Sequence, residues 1–165
     1  MDIFSHGLWG GIAFGRKNKR DFWWAFIIGV LPDLLSFGIF SAMRILGLVS
    51  GPDWGNGLPS SDSIPMYVHS LYNITHSLIV FGLIFTLVTI LRRKPFLPML
   101  AWGLHIIMDM PTHSTRFFST PFLWPISTYR IDGIPWSHPL IFYPDIIILF
   151  GIYIWFFVFK KGWKK

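Results

Sequence analysis

The sequence predicts an all-α protein, a multi-pass transmembrane helix bundle of about five hydrophobic segments with an external aromatic-rich loop or hairpin. Three observations carry this expectation. Hydrophobic residues make up 53% of the 165 positions and charged residues only 13%, about half the ~25% usual in soluble domains. The apolar residues gather into long runs. The basic residues fall in three blocks, each abutting such a run: Arg16, Lys17, Lys19 and Arg20; Arg92, Arg93 and Lys94; Lys160, Lys161, Lys164 and Lys165. A soluble domain of this length leaves roughly 30% of its unfolded surface wet, so it could not hide so much apolar area.

The chain reads as a single transmembrane helical domain, residues 1–165. The first apolar segment, Ile3 to Gly15, is short, ~20 Å as a helix. The second runs from Phe22 to Val49 and is expected to break or kink at Pro32. A polar loop, Ser50 to Pro65, precedes the third, Tyr67 to Leu91. The fourth spans Phe96 to about Met110, entered and left through prolines. The fifth runs from Pro139 to Phe159. Between these last two, Thr112 to His138 is rich in aromatics and proline and too polar to cross. Within it, Asp132-Gly133 between Thr128–Ile131 and Ile134–Trp136 signals a type I′ hairpin.

Basic flanks face the cytoplasm in membrane proteins. Placing all three blocks inside gives a cytoplasmic-membrane protein with its N-terminus outside, its C-terminus inside and five crossings. Residues 52–64 and 114–137 are then external. Because the net charge of +6 resides in these flanks, nucleic acid is not an expected partner; membrane lipid is. Met1 followed by Asp2 and His6 does not resemble the basic start of a signal peptide.

All eight acidic residues are Asp, and Cys is absent. Asp is a poor helix former, so these carboxylates serve as caps and turns or for their chemistry. Any metal would have to use His and Asp. Counting up from each basic block at ~1.5 Å per residue puts His6, Asp33, His76, His105, Asp109 and Asp145 within a slab ~10 Å thick in the outer half of the membrane. His105, Asp109 and His113 follow an i, i+4, i+8 rhythm, with the first two on one helix face. Asp at mid-membrane costs ~2.5–3.5 kcal/mol, so these carboxylates must be protonated, paired or metal-bound. Neutral imidazole and carboxylate suit Zn²⁺, Mn²⁺ or Fe²⁺.

Plainer roles exist for individual residues. Asp33 after Pro32 can N-cap the following helix, His6 can be an interfacial histidine, and Asp145 after Pro144 can line a kink. His105 with Asp109 lacks such an alternative.

At these residues the sequence resembles the predicted membrane-bound metal-dependent hydrolases of the YdjM-like family. The shared features are a short N-terminal segment with His6, Leu-Pro-Asp ending at Asp33, Thr75-His76-Ser77, and His105 followed by Asp109-Met110-Pro111-Thr112-His113-Ser114. The motifs recur in order over nearly the whole chain. The resemblance implies hydrolysis with metal held by His and Asp. On this reading His6, Asp33, His76, His105 and Asp109 are ligands, zinc the first-choice ion, and His113 the catalytic acid or base. Arg116 and Arg130 bind an anionic group, such as the phosphate of a lipid-like substrate, on an external lid that turns them towards the metal. A lipid or lipid-linked ester is the expected substrate. A small transporter or proton relay and a scaffold with a structural metal are the competing readings.

Overall fold

In the computed structural model, which describes residues 1–52, 63–159 and 163, the regular elements among those residues are all helices, with no strand. The expected external loop around Asp53 and Asp62 and the last basic block lie outside the described residues. The helices are α1 (Ile3–Phe14), α2 (Lys19–Asp33), α3 (Ile39–Ile45), α4 (Met66–Thr75), α5 (Leu78–Arg92), α6 (Leu100–Thr112) and α7 (Pro139–Ile154).

Among the described residues, two helical stretches are long and apolar enough to cross a membrane: Lys19–Ile45, which joins α2 to α3, and Pro139–Phe159. A third crossing arises if α4 and α5, bent by 57°, form one broken span. Length and composition thus support two or three of the five expected crossings. With 12 and 13 residues, α1 and α6 rise only ~18–20 Å. They pack against α2 and against each other. Leu83, Leu87 and Ile90 of α5 and Ile147 and Phe150 of α7 are exposed, an outward apolar surface suited to lipid.

Pro32 does not break the second segment. The helix widens instead into a π-helical turn, Leu34–Gly38, and continues as α3. The Pro32 carbonyl accepts from the Ser36 hydroxyl at 2.9 Å and the Thr75 hydroxyl at 3.3 Å, so the local irregularity stays hydrogen-bonded.

The α1–α2 contact is set by small residues. A Cβ at Gly29 would lie 2.7 Å from the His6 carbonyl oxygen, and one at Gly10 would lie 2.8 Å from that of Ala25. Backbones that close exclude any side chain, the packing mode of membrane helices. Further along, α7 is tied to α1 where Tyr153 donates to the Leu8 carbonyl at 2.8 Å.

Thr112 to His138 does not form the expected hairpin. Gly133 and Trp136 donate backbone N–H groups to the carbonyls of His113 and Thr112, and Ile134 donates to that of Pro111, all at 2.9–3.0 Å. The last carbonyls of a helix lack intrahelical donors, and residues 133–136 supply them to the end of α6. Local turn propensity at Asp132-Gly133 lost to that need.

Candidate metal centre

Two of the four polar residues of the centre are delivered by local irregularities and two by a regular helix face. Asp33 sits between α2 and the π-helical turn with helical dihedrals and no capping bond from its side chain, so it is not the N-cap its sequence allowed. Its carboxylate faces inward. Thr75-His76-Ser77 is a break between helices: Thr75 ends α4, and Ser77 caps α5 by accepting from the N–H groups of Ile79 at 3.1 Å and Val80 at 3.2 Å. His76 occupies the corner and is fully buried. His105 and Asp109 project from one face of α6, both buried, as their i, i+4 spacing requires.

These four residues converge. Asp33, His76, His105 and Asp109 each offer a ligand atom, all within 4.8 Å of one another. The His76 and His105 Nε2 atoms are 3.1 Å apart. Asp109 Oδ2 lies 3.3 Å from His105 Nε2 and 3.5 Å from His76 Nε2. Asp33 Oδ1 lies 3.4 Å from His76 Nε2 and 3.8 Å from His105 Nε2. Donors ~2.0–2.1 Å from a tetrahedral ion stand ~3.3 Å apart, so these separations are close to the edges of a metal-sized tetrahedron.

The hydrogen bonds point the same way. His105 Nδ1 is 2.7 Å from the Gly29 carbonyl, and His76 Nδ1 is 3.2 Å from that of Tyr72. A carbonyl only accepts, so His105 Nδ1 carries the proton; His76 Nδ1, which also lies 3.0 Å from the Thr75 hydroxyl, carries it when it donates to Tyr72, and each Nε2 then presents a lone pair. Two lone pairs facing each other at 3.1 Å repel unless a cation lies between them. Asp109 Oδ2, fully buried, has no hydrogen-bond partner either, a costly arrangement for a buried carboxylate oxygen. The donor set therefore fits a divalent metal ion.

The other oxygen of Asp109 meets a second group of partners. His6 Nε2 is 2.8 Å from Oδ1 and His113 Nδ1 3.3 Å away, while the Met1 amine also contacts it. The His6 ring stacks on His105 with centroids 3.6 Å apart, but neither of its nitrogens makes an aligned hydrogen bond. His6, expected among the ligands, thus borders the four through Asp109.

Asp145 stands apart from them. Its carboxylate accepts from Ser5 Oγ at 2.6 Å and Trp9 Nε1 at 2.7 Å, fastening α7 to α1. Asp145→Asn is therefore expected to leave metal content unchanged and to lower stability by about 1–3 kcal/mol. Elemental analysis and thermal unfolding in detergent check it; metal loss would place Asp145 in the centre after all.

Asp33 and His113 both open onto a cavity of about 560 Å³, walled by Ile3, Phe37, Tyr72, Phe117, Phe118 and Trp136 among others. That volume is typical of small-molecule sites. Arg116 and Arg130, expected to turn towards the metal, do not line it. They face a separate hollow beyond Phe117 and Phe118, and Arg130 is drawn there by the Ser119 carbonyl, 2.6 Å from its Nη1.

The glycine seam at Gly29 was not read from the sequence, although Gly7, Gly10 and Gly11 opposite Ala25 and Gly29 carried the signal. This chain matches no protein-family model, no curated protein and no solved structure.

Proposed function

We propose that this protein is a membrane-embedded metal-dependent hydrolase that holds a divalent ion on Asp33, His76, His105 and Asp109. The observation that carries this reading is the meeting, at Asp33, of a buried His/Asp donor set with a cavity large enough for a substrate. Mixed nitrogen and oxygen donors at tetrahedral spacing favour zinc over manganese or iron. An ion bound there would lower the pKa of a coordinated water towards ~7 and polarise a scissile oxygen.

The chain's own residues supply the rest. Asp33, with 19% of its side chain exposed, is the ligand that the cavity reaches. His113 touches both Asp109 and the cavity, where its imidazole can hold or pass a proton as general acid or base. The aromatic walls exclude water and suit the apolar part of a lipid or lipid-linked ester. The ordered resemblance to YdjM-like hydrolases supports the same reading.

Elemental analysis of the detergent-purified protein is the direct test. About one divalent ion per chain is expected, and a metal-free protein after gentle purification overturns the reading. One observation favours a second reading, a scaffold with a structural metal: four protein donors can close the shell, as in structural zinc sites. Cobalt substitution separates the two. A visible spectrum that shifts when azide is added reveals an open position, and an unresponsive spectrum favours the scaffold.

The topology is part of the proposal: a cytoplasmic-membrane protein with its N-terminus outside and its basic blocks inside, an arrangement that requires the short α1 and α6 to cross through a locally thinned bilayer. The chain has no cysteine of its own, so Lys94→Cys is a clean reporter. Labelling from the cytoplasmic side alone is expected, and labelling from outside reverses the topology.

A further inference from the structure

Two hollows in this protein share one wall. The aromatic cavity reaches the metal centre at Asp33. The second, about 310 Å³, is lined by His69, Thr115, Arg116, Ser119 and Arg130, together with Phe117 and Phe118. Phe118 faces both sides. Its ring lies edge-on to Phe37 at 4.6 Å and to Tyr72 at 5.3 Å, while His69 stacks on it at 4.6 Å. Its backbone takes a left-handed conformation, φ 48°, which is costly for a bulky residue and concentrates at functional positions. The Tyr72 hydroxyl holds its carbonyl at 2.9 Å.

The second hollow is electropositive. Arg130 donates to the Ser119 carbonyl and, at 3.4 Å, to Asn73 Oδ1, which fixes its guanidinium while other N–H groups of its five remain. Arg116 is exposed beside it. The carboxylate of Asp132 accepts from the Thr115 N–H at 2.7 Å and hydroxyl at 2.9 Å. These bonds, with the charge of Arg116, hold it below the usual carboxylate range. One carboxylate against two guanidiniums leaves a positive balance. No arginine lines the cavity that reaches the metal centre.

We propose that the Arg116–Arg130 hollow is an anion-recognition subsite for an amphiphilic substrate. The apolar part of that substrate fills the aromatic cavity, and its anionic group, phosphate by the fit of the arginine fork, is not the group cleaved. Only this last clause rests on the hydrolase reading; the binding itself does not need it.

Dodecyl phosphate, dodecanol and inorganic phosphate are the probes, titrated into the detergent-purified full chain and followed by native mass spectrometry. Dodecyl phosphate is expected to bind most tightly. Arg116→Ala and Arg130→Lys should each weaken it about tenfold or more and leave dodecanol unchanged, whereas Asp132→Asn should tighten it. Gly38→Leu or Ser41→Phe, which narrow the aromatic cavity, should weaken both dodecyl ligands and spare inorganic phosphate. Stripping metal with a chelator should leave the arginine-dependent affinity as it was. The proposal is overturned if the arginine variants bind dodecyl phosphate normally. It is equally overturned if inorganic phosphate binds as tightly, which marks a free-anion site, or if affinity falls with the metal, which puts the phosphate at the centre. A protein that contains no metal yet shows the arginine dependence would sink the hydrolase reading and leave this subsite standing.

Discussion

Asp109→Ala is expected to empty the metal centre while leaving the helices in place. One carboxylate serves both halves of the site: Oδ2 closes the tetrahedron with His76 and His105, and Oδ1 meets His6, His113 and the Met1 amine. Removing it deletes a ligand and, at once, the partner of His6, His113 and the Met1 amine. Outer-shell partners alone are worth ~10–100-fold in metal affinity, so loss of this ligand should exceed that range. His105→Ala should do the same, because it also removes the imidazole that Gly29 orients. Occupancy read by elemental analysis, with helical content followed by circular dichroism, checks both. Full occupancy in the two variants would show that the four-residue donor set is wrong.

The second large effect is expected from a single methyl group placed where no chemistry occurs. In Gly29→Ala, the new Cβ would fall 2.7 Å from the His6 carbonyl oxygen. That neighbour is backbone, so α1 and α2 must separate. Gly29 is also the residue whose carbonyl fixes the protonated nitrogen of His105. Moving it disturbs the tautomer and orientation of a ligand, an outer-shell loss of ~10–100-fold in metal affinity. Gly82→Ala is the matched control, since a Cβ there meets nothing within 4 Å. Metal titration of both variants decides it; equal affinities would mean that α1 and α2 can part without moving His105.

Much of the candidate site was legible because a membrane gives depth a cost. Ionisable groups are expelled from hydrocarbon unless they serve one another, so counting residues from the basic flanks brought His6, Asp33, His76, His105 and Asp109 to one level. The i, i+4 pair on α6 followed from helical periodicity alone. Depth does not give azimuth, however. Asp145 falls in the same slab, yet it turns to Ser5 and Trp9. His69, seven residues before His76, lines the arginine hollow instead, since α4 ends at Thr75 before His76 is reached.

By itself, then, the sequence determined the helical class, the apolar character of the long helices and the residue types able to bind metal, because composition and period are properties of the chain. Only the tertiary structure decided where each helix begins and ends, leaving two or three of ordinary crossing length among the described residues. It also showed that Pro32 widens a helix rather than breaking it, and that the Asp132-Gly133 turn yields to unpaired carbonyls at the end of α6. It placed the arginines in a hollow beyond Phe117 and Phe118, away from the His/Asp cluster. Each of these outcomes depends on a partner distant in sequence, such as the His6 carbonyl against Gly29 or the Thr112 carbonyl before Trp136, and no local propensity encodes a partner.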